Sequence, residues 1–62
     1  MMADEKKVLR LLKTARGQMD GIIKMVEENR YCIDISQQLM ATEAILNRAN
    51  KEILAAHLKH CV

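Results

Sequence analysis

Apolar residues recur with a helical period along nearly the whole chain. In the first half Val8, Leu12, Ala15, Met19, Ile22 and Val26 advance by alternating steps of four and three. That spacing places them along one side of an α-helix. Leu11 and Ile23 widen the stripe. The pattern stops at Glu27-Glu28-Asn29-Arg30, where Asn29 suits the left-handed conformation that closes a helix. A second seam then runs through Ile35, Leu39, Thr42, Leu46, Ala49, Ile53 and Ala56, broadened by Ile45, Leu54 and Leu58. The spacing predicts a first helix starting near Ala3 or Asp4 and a second from about Tyr31 to Cys61. The fold class expected is all-α: an antiparallel helical hairpin, one domain over 1–62. Gly17 and Gly21, four apart in the first helix, fit either a close helix approach or a tolerated irregularity.

Composition supports the helices and removes other architectures. The 62 residues include no Pro, Trp or Phe, two Gly and a single aromatic, Tyr31. A sandwich or barrel needs aromatic and β-branched strands joined by Gly- and Pro-rich turns, which this chain cannot supply. No nucleophile, base and orienting group form a recognisable set, so an enzyme is not expected. Two helices cannot enclose a core, and both seams are apolar over most of their length. Pairing two hairpins into a four-helix bundle buries them, so a homodimer is expected and a homotetramer remains open.

The net charge of +2 excludes a histone-like polycation, and electrostatics alone would not make a tight nucleic-acid binder. No apolar run is long enough to span a membrane, and the start, MMADEKK, lacks the apolar core of a secretory signal. Two cysteines make no disulfide framework. A reducing cytoplasm is the expected location, and there such cysteines more often serve as metal ligands or reactive thiols.

The metal-competent residues are Cys32, His57, His60 and Cys61. His57 and Cys61, four apart on a helix, project from one side and can hold one ion. Alone the pair could equally be an exposed His beside a small Cys. Cys32 adds a constraint, because it lies about 43 Å from Cys61 along a straight helix. The two cannot share an ion within one chain. In an antiparallel dimer whose two-fold crosses the second helix near Leu46, Cys32 of one protomer meets His57 and Cys61 of the other. Two thiolates and one imidazole form a soft set that suits three-coordinate Cu(I); Zn(II) would want a fourth ligand. His60 points about 100° away from Cys61 and is expected to pack or lie at the surface. Tyr31 either supports the site by hydrogen bonding or covers the hairpin turn.

Basic residues form a second pattern. Lys6, Arg10 and Lys13 recur on the first helix with Lys7 and Arg16 beside them, and Arg48 and Lys51 add charge on the second. Such a run can be a solvated helix face. In a symmetric dimer it doubles into a patch that can contact DNA phosphates without reading bases.

Three segments carry a resemblance. They are Arg16-Gly17-Gln18-x-x-Gly21-Ile22, Met25-Val26-Glu27-Glu28-x-Arg30-Tyr31-Cys32-Ile33-Asp34 and His57-Leu58-x-His60-Cys61-Val62. Together they resemble the CsoR/RcnR family of metal-responsive bacterial repressors over roughly Val8 to Val62. The resemblance implies an all-helical oligomer whose apo form binds operator DNA and whose metal-bound form releases it. The Cu(I)-sensing branch uses a Cys, His, Cys set, whose positions fall on Cys32, His57 and Cys61. Branches with additional His ligands, or with no His, fit less well. Arg10 and Arg48 approximate basic positions used on DNA. The resemblance also implies a third short helix following the His-Cys segment, and none is expected within these 62 residues. Two alternatives stay open: a thiol- or persulfide-sensing repressor using Cys32 and Cys61, and a metal-binding bundle with no DNA role.

Overall fold

The computed structural model describes residues 4–57 as two helices, α1 (Glu5–Glu27) and α2 (Cys32–Ala56), packed as an antiparallel hairpin. The expected hairpin and its turn are present. The expected stretch of α2 from Leu58 to Cys61 lies outside the described residues.

Each helix end follows from local chemistry. Asp4 caps α1, its carboxylate accepting from the Lys7 backbone N–H at 3.2 Å, and Glu5 sits where the helix dipole favours an acid. At the other end Asn29 takes the left-handed conformation, with φ 56°. The Arg30 N–H then donates to the Met25 carbonyl and the Asn29 N–H to that of Val26, both at 3.0 Å. This is the paired closure of a Schellman motif, and it satisfies carbonyls that the helix end would otherwise leave open. α2 begins less well: Tyr31 occupies its N-cap and makes no side-chain cap bond.

The two seams divide into two roles. Val8, Leu11, Ala15 and Ile22 of α1 are buried, with Gln18 and Met25 half-buried in the same stripe. Thr42 and Ala49 of α2 are buried opposite them, and Ile35, Ile45, Glu52 and Ala56 are half-buried. Across this interface the Thr42 hydroxyl donates to the Gln18 side-chain oxygen at 2.7 Å, and the Lys7 ammonium meets the Glu52 carboxylate at 2.8 Å. These two contacts set the register, so residue numbers facing each other across the hairpin sum to about 60.

The remaining seam residues do not enter the hairpin. Leu12, Met19 and Val26 are 41%, 50% and 59% exposed, and Leu39, Leu46 and Ile53 are 45%, 43% and 38% exposed. A second helix can cover only part of an apolar stripe this wide. Of the residues expected only to broaden the stripe, Leu11 is buried and Ile45 half-buried. Leu12 and Leu46, at the centre of the expected seam, are left outside. The molecule is a slab 46 × 17 × 12 Å, one helix thick, with two broad faces. Gly17 and Gly21 are exposed, and a Cβ at either would meet nothing within 4 Å, so neither serves a close approach within the chain.

Candidate metal site and basic face

The two broad faces differ in chemistry. Residues directly following the buried stripe turn to one side of each helix, and those directly preceding it turn to the other. Because the helices are antiparallel and both right-handed, the following positions of α1 and α2 come out on the same broad face. On α1 they include Leu12, Met19, Ile23 and Val26, and on α2 Leu39, Leu46, Ile53 and His57. Cys32 shares their side, seven residues before Leu39. This face is apolar, with a thiol at one end of α2 and an imidazole at the other.

Both metal-competent groups are accessible. Cys32 is a free, exposed thiol on the first residue of α2, and His57 is exposed at its C-cap. Their helical positions differ by only about 20° around the axis, while about 37 Å separates them along it. One chain therefore cannot bring them together. Among the described residues no three His, Cys, Asp or Glu side chains gather at a point. Cys61 and His60 lie outside the described residues. Tyr31 is 66% exposed beside Cys32. A thiol and an imidazole are ligands of the soft type that copper and zinc take, so the residues present fit such an ion once a second chain supplies the other half.

The preceding positions carry different residues. On α1 they are Lys7, Arg10, Thr14, Gly17, Gly21 and Lys24. On α2 they include Asp34, Ala41, Ala44, Arg48, Lys51 and Ala55. This face is smooth and basic. The register puts Arg10 nearly level with Arg48 across the hairpin. Lys6 and Lys13 stand on the outer edge of α1, where Lys6, Leu9, Arg10, Lys13 and Thr14 line an open depression. Arg16 does not join them: it follows Ala15 and turns toward the apolar side, so the expected basic run divides at that residue. One basic residue and one ion pair were not legible in the run itself. Lys24 extends the α1 strip beyond the gap made by Gly17, Asp20 and Gly21, and its periodicity with Lys13 was the available signal. The pairing of Lys7 with Glu52 had no signal, because the hairpin register creates it.

A family model described as metal-sensitive transcriptional repressor matches residues 4–62. The chain belongs to this family. Its relatives within the repressor family include the copper-sensing transcriptional repressor CsoR of Mycobacterium ulcerans (strain Agy99), 48% identical over 61 residues, covering 97% of this chain and 52% of the relative. The protein of the same name from Mycobacterium tuberculosis (strain ATCC 25618 / H37Rv) is 41% identical over 61 residues, or 98% of this chain and 51% of the relative. That of Bacillus subtilis (strain 168) is 37% identical over 59 residues, covering 95% of this chain and 58% of the relative. The chain thus spans about half the length of the curated relatives it matches. The family is described as one of transcriptional repressors, a regulatory and not a catalytic class. No helix among the described residues is long and apolar enough to cross a membrane.

Proposed function

We propose that this chain is a copper-responsive repressor that dimerises through its apolar face and binds operator DNA through its basic face. Cu(I), held by Cys32 of one protomer and His57 with Cys61 of the other, releases the DNA. The observation that carries the reading is the strip Cys32, Leu39, Leu46, Ile53, His57 on one side of α2. Folding this strip onto its own copy about a two-fold at Leu46 pairs Leu39 with Ile53 of the partner and brings each thiol to an imidazole. The apolar contacts that hold the dimer thereby assemble the two metal sites at its ends, giving a four-helix bundle. The relatives' names supply the metal, and the two-thiolate, one-imidazole set is chemically suited to Cu(I).

The DNA contacts in this reading come from Arg10 and Arg48, with Lys6, Lys13 and Lys51 around them. They neutralise phosphates, so sequence preference arises mainly from DNA shape and deformability. Metal lowers DNA affinity only to the extent that it prefers a conformation in which these cations no longer match the phosphates.

Subunit exchange tests the shared site. Cys32→Ala and Cys61→Ala homodimers each lack one thiolate at both sites and should bind Cu(I) weakly. In the mixed dimer one site regains Cys32 from one chain with His57 and Cys61 from the other. Tight binding, read by thiolate-to-copper absorption, should return at up to one site in each mixed dimer. No recovery after demonstrated exchange would overturn the intersubunit site. His57→Ala should abolish copper-dependent DNA release; retention of sensing would point to the two thiols alone.

A further inference from the structure

Glu52 sets an acid among the cations of the basic face, at the end of the hairpin away from Asp34. Glu52 is half-buried at the edge of the hairpin seam, and its carboxylate lies 2.8 Å from the Lys7 ammonium. Lys7 and Arg10 are one turn apart on α1, and Arg48 and Glu52 are one turn apart on α2. The hairpin register sets these two pairs level with each other. Three cations and one anion thus form a compact square, each side of which is about one helical turn or one helix–helix spacing. The pair is only partly screened by solvent, with side-chain exposures of 41% for Lys7 and 34% for Glu52.

We propose that Glu52 restrains DNA binding: it holds Lys7 away from phosphate and sets a negative charge beside Arg10 and Arg48. This rests on the reading of the basic face as the DNA surface. Exposed ion pairs contribute little to folding, so stability alone gives weak reason for an acid at this position. Its larger effect is on the field of the face. Phosphates approaching Arg10 and Arg48 also meet the field of this neighbouring carboxylate, and Lys7 reaches them only by leaving its partner. The restraint keeps affinity low enough for a modest conformational change to release DNA.

The test measures binding of a mixed-sequence DNA duplex to the reduced, metal-free protein across a series of salt concentrations. Glu52→Gln should bind about fivefold more tightly near ~0.15 M salt, with the salt slope steeper by about one for each Lys7 that gains a phosphate. Lys7→Gln alone leaves the Glu52 carboxylate unneutralised beside Arg10 and Arg48, and should weaken binding several-fold. The double variant Lys7→Gln/Glu52→Gln should return close to the starting affinity and slope. Thermal unfolding followed by circular dichroism should remain within a few degrees for all three. If Arg10→Ala and Arg48→Ala weaken binding while Glu52→Gln leaves it unchanged, the restraint is wrong and the DNA face stands. If neither arginine matters, the DNA face fails and the restraint fails with it.

Discussion

Among the described residues Thr42 is the buried polar side chain, and its hydroxyl has two acceptors within reach. One is Gln18 Oε1 at 2.7 Å and the other is the Gln38 carbonyl at 3.2 Å, one turn back on its own helix. The first ties α2 to α1 at mid-length, in a seam otherwise made of small and medium apolar groups that specify register weakly. Thr42→Val keeps the shape and removes the hydroxyl, leaving the half-buried Gln18 oxygen without its donor. Urea unfolding should show a loss of about 1 kcal/mol, the range for a neutral hydrogen bond whose remaining partner still reaches some water. Adding Gln18→Leu should recover part of that loss, because no polar atom is then left unpaired. Thr42 was legible as a seam position by its spacing. Its partner was not, since nothing in the sequence relates residue 18 to residue 42 until the helices are folded together.

At the scale of the elements, the turn between the helices is specified by very few atoms. Asn29 adopts φ 56°, and the two hydrogen bonds that end α1 depend on that conformation. Asn29→Ala should cost about 1 kcal/mol, because a Cβ without a compensating side-chain amide disfavours the left-handed region. Asn29→Gly should be neutral or slightly stabilising, and thermal melts of the two variants should separate accordingly. The opposite sign would mean that the amide itself holds the turn. The helices' existence, their break and the role of Asn29 were all readable from periodicity and cap chemistry. Their phase was read less well. A stripe about three residues wide per two turns covers both the hairpin contact and its flank, and periodicity alone does not say which half turns inward.

For the whole molecule, the interior is thin. The buried apolar residues among those described are Val8, Leu11, Ala15, Ile22 and Ala49, and none of the large side chains is fully enclosed. Meanwhile six seam residues on one broad face remain between 38% and 59% exposed. A lone hairpin with that balance is marginal, and a chain of this size usually gains stability by association. Leu46→Glu sets two like charges together at the proposed two-fold and should convert the dimer to monomer in sedimentation velocity, with loss of helical circular dichroism at micromolar concentration. A variant that stays dimeric and helical would move the interface elsewhere. On the other broad face, Arg10→Ala or Arg48→Ala should weaken DNA binding several-fold and reduce the salt slope by about one phosphate each. Unchanged affinity in both would remove that face from DNA recognition.

The sequence by itself determined the class of the fold and the chemistry available to it. Helical spacing needs only the order of residues, and a Cys and a His set 25 positions apart on one continuous helix cannot meet within one chain. That exclusion, read from the rise of a helix alone, is why the proposed metal site needs a second chain. The tertiary structure decided how the residues are shared between faces. Leu11 was buried and Ile45 half-buried, while Leu12 and Leu46 stayed exposed. Arg16 separated from Arg10, and Lys7 was paired with Glu52. Each of these depends on the rotation and register of one helix against the other. Packing across the hairpin sets both, and they are not periodic properties of either helix.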